Sequence, residues 1–120
     1  MPLAPTKEGA ASVAHDAVIS YSHKDKFAAD AVCTTLERAG IRCWIAPRDI
    51  APGAEWGAAI IDAIEHSVVM VLIFSSNANA SPQIRREVER AVSQGVRIVP
   101  VRIDQAQPLE ALAYFMAGVH

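Results

Sequence analysis

Apolar runs alternate with segments of helical period along this chain. Ala17-Val18-Ile19-Ser20-Tyr21 predicts a first strand. From Asp25 to Ala39 the apolar residues Phe27, Ala31, Val32, Leu36 and Ala39 recur at helical steps, and Gly40 follows where a helix end favours a left-handed residue. Ile41 to Ile45 predicts a second strand, and the loop after it is punctuated by Pro47, Pro52 and Gly53. Glu55 to Glu65 places Trp56, Ile60, Ala63 and Ile64 on one helical face and feeds the run Val68 to Phe74. That run has no alternation, the signature of a strand covered on both faces of a parallel sheet.

Ser81 supplies an N-cap and Pro82 a first helical residue, and Ile84, Val88, Ala91 and Val92 form the apolar stripe of a helix that stops before Gly95. Val96 to Ile103 predicts a fourth strand, with Pro100 set against its continuity. Leu109 to His120 fits either a helix or a short edge strand. Strand and helix in repeated succession, with crossovers long enough for parallel pairing, predict an α/β fold: a flavodoxin-like three-layer domain with a parallel sheet of four to five strands, order 2-1-3-4-5, flanked by helices.

Composition narrows the function classes. The 120 residues, 52% of them hydrophobic, suffice for one domain with its own core. A net charge of −2 gives no basic excess, which argues against nucleic acid as a direct partner. Cys33 and Cys43 form no CxxC pair and have no histidine at ligand spacing, so no metal site is expected, and together with His15 and His66 they are read as structural or solvated. Residues 1–14 are expected to be a flexible leader, since they lack both a basic segment and a continuous apolar stretch. Val68 to Phe74 falls short of the roughly 20 residues that span a bilayer, and a cytoplasmic location with no membrane partner is expected.

In sheets of this class ligands bind beyond the carboxyl ends of the strands, where strand order reverses. The candidates are therefore Ser20 to His23, Trp44 to Gly53, Ser75 to Asn79 and the start of the third helix. The turn after the first strand has no glycine, which excludes a GxGxxG dinucleotide fold, and no GxxxxGK[ST] phosphate loop exists. Ser75 and Tyr21 stand where a phospho-accepting receiver domain would carry acids.

The blocks Ala17-Val18-Ile19-Ser20-Tyr21-Ser22-His23-Lys24-Asp25, Gly40 to Gly53 and Val68 to Ser75 resemble, in order, those of a bacterial Toll/interleukin-1 receptor (TIR) domain. The resemblance runs over roughly residues 15 to 105. It implies a five-stranded parallel sheet and a mobile loop after strand two, Ala46 to Ala54, that contacts neighbouring TIR domains. It also implies either NAD+ hydrolysis or non-catalytic assembly of signalling complexes.

In enzymatic members a glutamate on the helix after strand three cleaves the nicotinamide–ribose bond; here that position is Glu87. The leaving group is already cationic and departs neutral, so a single carboxylate can suffice, unlike the two of ordinary glycoside hydrolysis. By the resemblance, Ser20, Tyr21, Ser22, His23, Trp44, Ser75 and Gln83 are substrate-binding positions, with NAD+ as substrate and no cofactor. Gln83 departs from the pattern, since tryptophan is frequent there.

Other readings of these residues stand beside this one. Glu87 could be a solvated partner of Arg86 or Arg90, and Trp44 either a stacking surface or core. The resemblance makes Ala46, Pro47, Arg48, Asp49, Ile50, Pro52 and Gly53 a self-association loop, although Arg48 and Asp49 could equally supply simple turn polarity. The domain is expected at residues 15–120, without its last helix, as a fragment fused to a sensor or oligomerisation domain in anti-phage defence. The rival is a non-enzymatic interaction module, a signalling scaffold or a mimic that binds host TIR domains.

Overall fold

The computed structural model describes residues 15–116. The leader expected at residues 1–14 and the last residues of the chain lie outside that range. The elements are β1 (Ala17–Ser20), a 3₁₀ turn (His23–Asp25), α1 (Lys26–Arg38), β2 (Cys43–Trp44), α2 (Trp56–Glu65), β3 (Val69–Phe74), α3 (Ser76–Asn79), α4 (Pro82–Ser93), β4 (Arg97–Arg102) and α5 (Glu110–Met116). Four strands pair in parallel in the order β2-β1-β3-β4, the first four places of the expected order. The segment that fitted either a helix or a strand is helical over Glu110–Met116.

Strand alternation divides the core into two layers. Val18, Met70, Leu72, Phe74 and Ile98 point toward Ile64 of α2, Val88 of α4 and Leu112 of α5. Ala17, Ile19, Val71 and Ile73 point to the other face, against Ala29 and Cys33 of α1. Pro100 is accommodated opposite Leu72 because β4 pairs with β3 on one side alone among the described residues. Gly40 takes the left-handed conformation the sequence predicted, with φ +89°. No helix among the described residues is long and apolar enough to cross a membrane.

Two local expectations need correction. Phe27 does not join the core stripe of α1 and is 90% exposed. The helix begins at Lys26 and buries Ala29 and Cys33, flanked by Val32 and Leu36, which puts Phe27 on the opposite side of the wheel. The second strand is two residues long, because the Asp49 carboxylate captures the Ile45 N–H at 2.9 Å and turns the chain into the loop. The candidate segment after the third strand forms the single-turn helix α3, which Ser75 caps by accepting from Ala78 N at 3.1 Å.

Candidate active site

Beyond the carboxyl ends of β1 and β2, between the first turns of α2 and α4, opens a cleft of about 560 Å³. Glu87 forms part of its floor. Burial of Ile84, Val88 and Ala91 fixes the phase of α4, and Glu87, flanking that stripe, is turned inward and is only 6% exposed. Ser20, the last residue of β1, faces the same layer and donates its hydroxyl proton to Glu87 Oε1 at 2.6 Å. One turn before Glu87 on α4, Gln83 Nε2 donates to Oε2 at 2.8 Å, while Gln83 Oε1 accepts from Arg86 at 3.1 Å. Each carboxylate oxygen is thereby held, and the amide orientation of Gln83 is set by Arg86.

No ion pair among the described residues includes Glu87; Arg90 pairs with Glu65 instead. The reading of Glu87 as a solvated surface partner of Arg86 or Arg90 is therefore overturned. Burial pushes its carboxyl above the ordinary glutamate value, and the bonds from Ser20 and Gln83, with the more distant Arg86 charge, pull it partly back.

Tyr21, Ser22, His23, Trp44 and Gln83 all border the cleft. The Tyr21 hydroxyl donates to the Ala46 carbonyl at 2.5 Å and ties the exit of β1 to the loop after β2. Ser22 is buried, and its oxygen accepts from Lys24 N at 3.3 Å, closing the 3₁₀ turn. Trp44 packs against the core and also borders the cleft.

Sequence reasoning also missed Trp56 and Lys24 as lining residues. Trp56, assigned to the core face of α2, is 56% exposed because it overhangs the cleft at the helix start. Lys24 brings a cation to the rim. A signal for Lys24 existed in its place directly after His23.

Ser75 lies apart from the cleft wall. It is 1% exposed and donates to Asp25 Oδ2 at 2.5 Å, while Asn77 Nδ2 donates to Asp25 Oδ1 at 2.9 Å. Asp25, which sequence reasoning also missed, thus pins the turn carrying His23 and Lys24 to the end of β3. No local motif signals this role, since its partners lie 50 and 52 residues along the chain.

The loop residues Arg48 and Asp49 are engaged within the chain. Arg48 reaches Glu37 at 2.8 and 3.1 Å and the Cys43 carbonyl at 3.0 Å, and Asp49 accepts from both Arg48 and Ile45 N. Pro47, Pro52 and Gly53 are exposed. The expectation that Cys33 and Cys43 lack convergent partners is also corrected, because their thiols and the Glu37 carboxylate lie within 4.8 Å of one another.

A parallel α/β sheet with an inward-turned carboxylate above its switch point defines the class of the molecule. The TIR domain family model matches residues 18–118, and the chain belongs to that family. Among solved structures it is similar to the TIR domain of the Toll-related receptor TRR-2 from Hydra magnipapillata (24% identity, TM-score 0.74, 88% of this chain and 81% of that one). It is also similar to a metazoan TIR-STING receptor from C. gigas (24% identity, TM-score 0.74, 95% of this chain and 38% of that one). A further likeness is to the TIR domains of the activated Roq1 resistosome directly recognising the pathogen effector XopQ (19% identity, TM-score 0.69, 87% of this chain and 69% of that one). The chain thus spans little more than a third of the C. gigas receptor. No curated protein sequence matches it significantly.

Proposed function

We propose that the chain is a NAD+ glycohydrolase with Glu87 as its catalytic group, active when TIR domains self-associate. The observation that carries this reading is the Glu87 carboxylate itself, buried at a cleft floor, held by Ser20 and Gln83 and, among the described residues, free of a salt bridge. Burial of an acid without an ion-pair partner costs stability, and such a cost is characteristic of functional sites.

In the reaction the bond between ribose C1′ and the nicotinamide nitrogen breaks and its electron pair passes to the nitrogen. Nicotinamide leaves neutral, with no proton needed from the protein. The ribose ring is left oxocarbenium-like, and a fixed carboxylate in a partly dry cleft stabilises that charge. Water adds at C1′ and its proton passes to Glu87 and then solvent, giving ADP-ribose; attack by the adenine of the same molecule gives the cyclic product instead. Trp44 and Trp56 offer ring faces for the bases, which compensates for glutamine at position 83. Lys24 at the rim suits the diphosphate.

Self-association is assigned to the loop of Ala46 to Gly53. Arg48 and Asp49 anchor its base, and Pro52 and Gly53 stand out in solvent. The Roq1 likeness, to TIR domains of an activated resistosome, supports an assembly and immune-signalling role for this chain. The alternative, a non-enzymatic interaction module, is favoured by the Gln83 side chain alone, which bonds Glu87 where an aromatic wall is frequent.

The test is nicotinamide release from NAD+ as a function of protein concentration and of clustering on a multivalent scaffold. Turnover per chain is expected to rise with clustering. Absence of NAD+ consumption at every density leaves the interaction module standing.

A further inference from the structure

On the α1 face of the sheet, away from Glu87, two thiols and a carboxylate converge. Cys33 and Glu37 stand one helical turn apart on α1, and Cys43 opens β2; their ligand atoms lie within 4.8 Å of one another. A tetrahedral zinc-type ion, with bonds of about 2.0–2.3 Å, holds its donors roughly 3.5–4 Å apart. A small contraction would therefore complete three legs of such a site. Both thiols are buried, but Cys33 borders a second pocket, of about 310 Å³, that opens between α1 and the loop after β2. An ion thus has a path from solvent.

The third donor is already in use. The Glu37 carboxylate takes the guanidinium fork of Arg48, which also donates to the carbonyl of Cys43. The same loop cation therefore sits over the donor set from which a metal would draw its carboxylate ligand.

We propose that Cys33, Glu37 and Cys43 form a binding site for a thiophilic divalent cation of the zinc class, with water as fourth ligand, and that the cation competes with Arg48 for Glu37. Binding replaces two thiol protons, which pass to solvent, and no oxidation is involved. Paired thiolates select against the hard cations Mg2+ and Ca2+. Loss of the Arg48–Glu37 contact releases one anchor of the self-association loop, so occupancy of this site would alter the loop, whose first residue, Ala46, also borders the cleft.

The test uses the reduced, untagged chain and Co2+ as reporter. One ion per chain with thiolate-to-cobalt charge-transfer absorption is expected, displaced by Zn2+, together with protection of both thiols from alkylation by Zn2+ in the unsubstituted protein. Cys33→Ala and Cys43→Ala should each abolish the absorption. Glu37→Gln should weaken Zn2+ binding by at least the roughly tenfold that loss of even a supporting contact costs a metal site. Arg48→Ala should tighten it. A chain without charge-transfer absorption at saturating Co2+, a band that survives both cysteine substitutions, or alkylation rates indifferent to Zn2+ would each overturn the site. Unchanged affinity in Arg48→Ala would overturn the competition.

Discussion

The hydroxyl of Ser20 donates to Glu87 Oε1 at 2.6 Å, joining the last residue of β1 to the second turn of α4. This bond is one of two that hold the candidate catalytic carboxylate. In Ser20→Ala, Glu87 keeps the Gln83 bond alone, and its carboxyl moves further above the ordinary range. A hydrogen bond to a charged group is worth about 1.5–3 kcal/mol, so turnover should fall by roughly 10- to 100-fold at neutral pH. The acid limb of the pH–rate profile should move to higher pH. A profile that keeps its position would assign Ser20 no part in setting the carboxylate.

Glu87 itself links stability to pH. Its raised carboxyl means that the folded chain holds this proton more tightly than the unfolded chain does. Its stability contribution is therefore full below the ordinary value of 4.5 and is lost as pH rises through the raised folded value. In Glu87→Gln the penalty on the charged form disappears, so the variant should melt higher than the wild type at neutral and alkaline pH, with the gap closing toward pH 4. Thermal melts across that range check the sign; a variant that melts lower at pH 8 contradicts it.

Asp25 accepts from Ser75 and Asn77 and anchors the His23–Lys24 turn. Asp25→Ala leaves the buried Ser75 hydroxyl without this acceptor. A loss of about 2–4 kcal/mol in denaturant unfolding is expected, with the rim of the cleft loosened. A cost near zero would mean that the turn holds its place without this anchor.

The two tryptophans should separate. Trp56 is more than half exposed, so Trp56→Ala should leave the melting temperature close to wild type. Stacking on a base is worth about 1–3 kcal/mol, and KM for NAD+ should therefore rise by roughly 5-fold or more. Trp44 packs on the core as well, and Trp44→Ala should lower both stability and affinity. Equal effects of the two substitutions on melting would contradict this division.

Much of the scaffold is legible in the chain because its signals are local. The unalternating run ending at Phe74, the Ser81-Pro82 start and the Gly40 stop each act through neighbouring residues, and each is found as expected. The site is legible only in part. Glu87 follows from its motif position, but that Ser20 and Gln83 hold it depends on the parallel pairing of β1 with β3 and on the phase of α4. Phe27 misleads because its four-residue step to Ala31 looks helical, while the nine residues to Leu36 turn it to about the opposite side of the α1 wheel from the core. Cys33 and Cys43 meet through the packing of α1 on β2, with no motif between them.

Nicotinamide release by clustered chain is the most direct test of the central claim, that the Glu87 carboxylate performs the chemistry. The account predicts measurable turnover in the wild type and a loss of about 100-fold or more in Glu87→Gln, which keeps the shape of the side chain while removing its charge. Equal rates for the two proteins would contradict it.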